Sequence, residues 1–218
     1  MILLGCKDYA LKEPFRAENG LYGYKDGEGK VIIKAKYDEA ETFSNGLARV
    51  RRGDEVRYIN FREKEILPGK YDSVDSFDDG LARVTLNGKW GFVHRGGVEV
   101  VEPKYDSMGL FNEGFASVEL NGKWGYINKR GKEVVEPKYN SVGLFSEGFA
   151  NVKLNGKWGY VDTTGKEVVP LKYDDVEDFS EGFANVELNG KWGFIDKKGN
   201  EYWDMTKDKA RQRMEFIN

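Results

Sequence analysis

Apolar and polar residues alternate in short runs that recur along most of the chain. In one such run Ala116, Val118 and Leu120 alternate with Ser117, Glu119 and Asn121, the two-residue period of a strand with one buried face. Asn121-Gly122 follows, and an Asn-Gly pair readily adopts the two positive φ angles of a type I′ hairpin turn. The next strand therefore returns antiparallel, with Trp124 and Tyr126 on one face and Gly125 and Ile127 on the other. A glycine there permits close approach of another backbone. The turn over 128–131 ends in a glycine suited to the left-handed region, and Val134-Val135 opens a third strand. The stretch 139–148 has loop composition with one aromatic anchor, Phe145, expected to plug the seam between neighbouring units.

The run is one copy of a repeat. Trp90, Trp124, Trp158 and Trp192 stand 34 residues apart, each within Asn-Gly-Lys-Trp-Gly, and the same step backwards reaches Val56 and Tyr22. Tyr37, Tyr71, Tyr105, Tyr139 and Tyr173 keep the same period, each preceded by lysine and followed by Asp or Asn. Three short strands cannot bury an aromatic face alone, so adjacent units must pack on one another. Each tryptophan, if buried over about 150 to 250 Å², would contribute at most roughly 4 to 6 kcal/mol to that packing. Propeller blades usually have four strands and about 40 residues. The expected fold is therefore all-β: tandem 34-residue three-stranded β-hairpin repeats in an open elongated array, with a propeller as the alternative. The expected layout is a single repeat domain over 1–218, with an N-terminal cap (1–19), the repeats (20–203) and a C-terminal helix (204–218). Asp204 would cap a helix over 205–216 whose Ala210 and Met214 face inward.

Three runs carry a family resemblance: Asn-Gly-Lys-Trp-Gly-(Phe/Tyr)-(Val/Ile), Gly-Lys-Glu-Val-Val, and Tyr-Asp followed after four residues by Phe-x-x-Gly-(Leu/Phe)-Ala-x-Val. They resemble the WG repeat family, also called KWG repeats, tandem units found mainly in bacterial proteins, over about 80% of the chain. The resemblance implies binding or interaction modules and brings no catalytic residue or cofactor. The departures are Tyr22 in place of Trp, and Val56-Arg57 in place of Trp-Gly.

Composition narrows the chemistry. Of 218 residues one is cysteine, Cys6, and one histidine, His94, which leaves almost nothing to build a zinc site from. No apolar run approaches the length of about 18 residues that spans a bilayer. Leu3-Leu4-Gly5-Cys6 matches the end of a lipoprotein signal without the basic and apolar stretches that precede one. The expected location is cytoplasmic, with acylation at Cys6 as the alternative should the true start lie upstream.

Candidate catalytic groups recur where an enzyme would need them once. Asp106, Asp174, Glu113, Glu147 and Glu181 fall at repeated unit positions, which describes turn capping better than a calcium loop. His94 stands where Asp162 and Asp196 stand later, a turn substitution rather than a base. Neither an enzyme nor a cofactor is expected. The second unit is the most irregular: Arg49, Arg51, Arg52, Arg57 and Arg62 lie close to Tyr58 and Phe61, a composition seen at protein interfaces and nucleic-acid stacking sites. The bland reading is a drifted unit with a solvated charged face. Arg52-Gly53-Asp54 spells a cell-adhesion tripeptide, a match too short to weigh. Lys207, Lys209, Arg211 and Arg213 form a basic stripe best read as the polar face of the terminal helix.

The expected function is a non-enzymatic protein–protein interaction scaffold. Its variable loops, 39–42, 73–76, 107–110, 141–144 and 174–178, would line one side of the array. The partner would be another protein or a nucleoprotein, with direct binding of nucleic acid possible and not favoured. One alternative is an inhibitor of a bacterial defence nuclease, of anti-CRISPR type; another is an envelope or carbohydrate-binding lipoprotein, which would need its Trp and Tyr faces exposed.

Overall fold

A computed structural model describes residues 13–44, 46–67 and 70–210. They form six antiparallel sheets in chain order. The first has three strands, Glu13–Arg16, Tyr22–Lys25 and Val31–Tyr37. The other five have four, as in Ser107–Met108, Phe115–Leu120, Lys123–Asn128 and Glu133–Tyr139. The expected three strands are present in each of these units, joined by a two-residue edge strand too short for periodicity to reveal. None of these sheets closes on itself. The chain divides into two compact units between Pro103 and Lys104, inside the strand Glu99–Tyr105.

The hairpins follow from the turn chemistry. Asn121 and Gly122 take φ of 53° and 73°, and Leu120 pairs with Lys123 across the turn. The Asp106 carboxylate accepts the Asn121 N–H at 2.7 Å, and Asp174 does the same for Asn189, so these acids cap turns as expected. Gly125 is required for a different reason. The returning strand bulges over it, and a Cβ at this position would lie 2.3 Å from the Val135 carbonyl oxygen and 2.7 Å from Pro137 N. Gly23, Gly91 and Gly159 are crowded in the same way. In the second sheet Arg57 occupies that position, and the described part of the return strand, Glu65–Leu67, pairs with Tyr58 and Ile59 beside it.

Within each compact unit the sheets pack face to face, an aromatic face on a small aliphatic one. In 13–103, Tyr24 and Ile33 cover Ala48, Val50 and Ile59, and Leu47, Tyr58 and Leu67 cover Ala82, Val84 and Val93. In 104–210, Tyr126 and Val135 cover Ala150, Val152 and Val161, and Tyr160 and Val169 cover Ala184, Val186 and Ile195. Phe145 is buried at the first of these seams, its ring 4.3 Å from Phe115 and 4.9 Å from Tyr126, the plug expected from sequence. The repeated Lys-Tyr pair clasps a glutamate 28 residues on. Tyr139 donates to Glu167 at 2.7 Å beside Lys138, and Tyr173 donates to Glu201 at 3.0 Å beside Lys172.

The end sheets differ from the rest. On the first, Pro14, Arg16 and Lys25 occupy the positions that carry Ala, Val and Ile in the second sheet. The last sheet packs Phe194 and Tyr202 with Ala210 of a short helix over 207–210 and with Met205. That helix is capped by Thr206, whose hydroxyl accepts the Lys209 N–H at 3.4 Å. Asp204, expected as the cap, instead has a left-handed φ of 58° and pairs with Lys191. Met214, Arg211 and Arg213 lie outside the described residues, as does Cys6.

Candidate partner-binding surface

The tryptophans are not the core. Trp90, Trp124 and Trp158 are half-buried and Trp192 is 48% exposed. They sit at the hairpin end of their strand, where the neighbouring sheet gives only partial cover. The interior aromatic is the residue two further on, Tyr126 or Tyr160, whose hydroxyl donates to Gly143 O or Glu177 O at 2.6 Å. Side-chain cations lie over the indoles, Arg83 at 5.0 Å from the Trp90 ring and Lys153 at 5.1 Å from Trp158. The stabilisation expected from fully buried indoles therefore belongs largely to the tyrosines. Acrylamide quenching of tryptophan fluorescence should be intermediate, and Trp192→Phe should remove the most quenchable component; unchanged quenching would place that indole in the interior.

The arginines of the second sheet divide in two. Arg49 pairs with Glu41 at 3.2 Å, Arg51 with Glu39 at 2.9 Å, and Arg57 with Glu65 at 2.8 Å and with Glu55. Hydrogen bonding to Arg51 holds the Glu39 carboxyl below its ordinary range, and Glu55 raises the Arg57 guanidinium. Arg52 and Arg62 are exposed. Tyr58 is buried, donates to Val74 O at 3.1 Å, and is pushed up to about 12 by desolvation. The Phe61 ring lies 4.7 Å from that of Phe43, tilted by 36°. The cluster named from sequence thus comprises three arginines matched by carboxylates, two exposed ones and two aromatics engaged in packing. Arg52 and Arg57 border a cleft of about 480 Å³ with Tyr37, Val50, Gly53 and Glu55. His94 accepts the Gly96 N–H on Nδ1 at 3.0 Å, the turn role that Asp162 fills for Thr164 and Lys166. Glu113 accepts the N–H groups of Glu147 and Gly148, and Glu147 those of Glu181 and Gly182. No group of three or more His, Cys, Asp or Glu among the described residues is placed to hold a metal.

A second candidate lies on the edge loops of each compact unit. The loops 38–46, 72–80, 106–114, 140–148 and 174–182 hold fifteen Asp and Glu and no Lys, Arg or His. In 13–103 arginines offset part of that charge, including Arg83 on Asp75 at 2.6 Å. In 104–210 the positions of Arg49 and Arg83 are taken by Ser117, Asn151 and Asn185. Leu110 and Leu144, at the same position of consecutive units, are 59% and 58% exposed. Both lie in loops expected to be variable, but the leucines were not singled out there. The signal that would have found them is an apolar residue at a position where other units carry Thr42, Ser76 or Asp178.

This is a tandem-repeat β protein whose conserved residues build sheets and turns and whose differences gather on edge loops. The chain belongs to the WG containing repeat family, whose model matches residues 22–55, 58–90, 90–124, 124–158 and 158–192. No curated protein matches it. Among solved structures, one likeness is to PorZ, a bacterial surface component of the type-IX secretion system of Porphyromonas gingivalis, at 9% identity and a TM-score of 0.36 over 90% of this chain and 31% of that one. Another is to Kluyveromyces lactis Hsv2, at 9% identity and a TM-score of 0.38 over 72% of this chain and 58% of that one. A third is to the WD40 β-propeller domain of Doa1, at 10% identity and a TM-score of 0.30 over 88% and 77%. At these scores the likenesses carry no functional weight. The chain spans less than two thirds of the first two proteins.

Proposed function

We propose that the chain is a non-enzymatic protein-binding scaffold whose edge loops make the contact. The observation that carries this reading is the exposed pair Leu110 and Leu144 on loops whose backbone repeats while their sequence changes. Large apolar side chains recurring at one surface position suit burial by a partner. A blocker of a nuclease, the narrower reading, would use the same surface. The test is affinity capture with the tagged protein, followed by binding measured with the purified candidate. Leu110→Asp/Leu144→Asp should weaken binding at least tenfold, and Arg51→Glu/Arg52→Glu/Arg57→Glu should leave it near wild type. Loss confined to the arginine variant would move the interface to the second sheet.

The exposure of Trp192 favours one other reading, carbohydrate binding by the tryptophan row. A glycan-array screen separates the two: glycan binding abolished by Trp192→Ala, with the leucine variant unaffected, supports the carbohydrate reading.

A further inference from the structure

Resting on the reading that the edge loops bind a protein, we propose that the loop edge of 104–210 accepts a basic amphipathic segment of that partner, one with Lys or Arg beside large apolar side chains. The apolar half of the argument is Leu110 and Leu144, both more than half exposed. Their sheets pack on one another within one compact unit, and stacked sheets lie about 10 Å apart, so the leucines form a spaced pair rather than an isolated contact.

The charge half comes from what surrounds them. The loops 106–114, 140–148 and 174–182 hold eight carboxylates and no basic residue. Asp175, Glu177, Asp178 and Glu181 are exposed. Asn151 donates to Asp178 and Asn185 to Glu177, both at 2.7 Å. A neutral amide orients a carboxylate without cancelling its charge, whereas Arg49, Arg51 and Arg83 cancel the corresponding charges in the earlier units. Lys157 and Lys197 neutralise Asp174 and Glu147, which leaves the negative field concentrated on Asp175, Glu177 and Asp178. Such a field attracts cationic segments and repels nucleic acid over roughly a Debye length of 8 Å. An apolar pair next to the amide-paired carboxylates of Glu177 and Asp178 is complementary to leucine beside lysine, and a wholly apolar or acidic partner would bury those charges without a cation to meet them.

The experiment uses the full chain and four probes: an amphipathic Lys/Leu peptide, its Glu/Leu counterpart, a Lys/Ser peptide of equal charge, and a single-stranded oligonucleotide. Calorimetry should show the Lys/Leu peptide binding at least tenfold more tightly than any other probe. Leu110→Ser/Leu144→Ser should abolish that advantage over Lys/Ser. Glu177→Gln/Asp178→Asn should weaken Lys/Leu binding several-fold and flatten its salt dependence. In the wild-type protein the Lys/Leu peptide should shift backbone amide resonances of 106–114, 140–148 and 174–182, a readout that needs no variant. Equal binding of Glu/Leu or Lys/Ser, preference for the oligonucleotide, or shifts confined to 49–62 would overturn the proposal. Should an affinity-captured protein bind tightly yet ignore both the leucine and the carboxylate substitutions, this inference fails while the scaffold reading stands. Absence of any specific protein partner would sink the scaffold reading itself.

Discussion

Replacing Gly125 by valine is expected to destabilise the protein by about 3 kcal/mol, the upper end of what overpacking usually costs. The cause is backbone rather than side-chain crowding. Its new Cβ would sit 2.3 Å from the Val135 carbonyl oxygen and 2.8 Å from the Glu136 carbonyl carbon. Neither atom can swing aside as a side chain would. The return strand must lift away, giving up its pairing of Tyr126 with Val135 and of Trp124 with Tyr139. Arg57→Val supplies the control, because that position already carries a side chain. Its cost should be small, because the ion pairs to Glu55 and Glu65 that it removes are exposed to solvent. Urea unfolding of both variants measures the difference as a shift in midpoint at constant slope. Equal shifts would show that the glycine is not crowded by the returning strand.

Raising the pH above about 10 should unfold the protein in step with ionisation of its tyrosines. Among the described residues nine phenols have raised pKa values: Tyr24, Tyr37, Tyr58, Tyr71, Tyr105, Tyr126, Tyr139, Tyr160 and Tyr173. Desolvation is the leading cause at each, and a neighbouring glutamate adds to it at Tyr71, Tyr105, Tyr139 and Tyr173. A phenol with a raised folded-state pKa holds its proton more tightly in the fold than in the unfolded chain. Its contribution to stability is therefore complete below the unfolded value of 10.0 and declines as pH climbs to the folded value, about 12 for Tyr37 and Tyr58. Tyrosinate absorbance and circular dichroism should change together, with few phenols ionising before the fold is lost. Stepwise ionisation near pH 10 with the sheets intact would mean that the tyrosines are open to water. The acid side is gentler. Glu99, Glu133 and Glu201 have lowered pKa values from their lysine and tyrosine partners, so their contribution is present above the ordinary glutamate value of 4.5 and fades as pH falls below it.

The sequence specified the parts of this fold that depend on near neighbours. Asn121-Gly122 determined a hairpin, the position of Gly125 announced a close backbone, and Phe145 in a polar stretch marked a seam. Distances across the seam were out of reach. Alternation put Trp124 and Tyr126 on the same face, and it could not say that the neighbouring sheet would bury the tyrosine and stop short of the indole. The edge strand Ser141–Val142 escaped because two residues show no period. The match of Arg57 with Glu65 was out of reach because the two meet only once their strands pair. The acidic edge was legible throughout as the missing lysines and arginines of five equivalent loops. It becomes visible only when units are compared position by position rather than read in order.

The face of the first sheet that bears Pro14, Arg16 and Lys25 restricts how an array of this kind can lengthen. Another copy laid against it would have to strip two cations of water, where each interior copy meets alanine, valine and isoleucine. At the other end, the aromatic surface of Phe194 and Tyr202 is already taken up by Ala210 and Met205. Gene duplication can thus add a unit between existing ones, where both new faces find matching neighbours, more readily than outside either end sheet. Growth from within carries the edge loops along with each inserted copy, so the row of acidic loops would lengthen whenever the repeat number does.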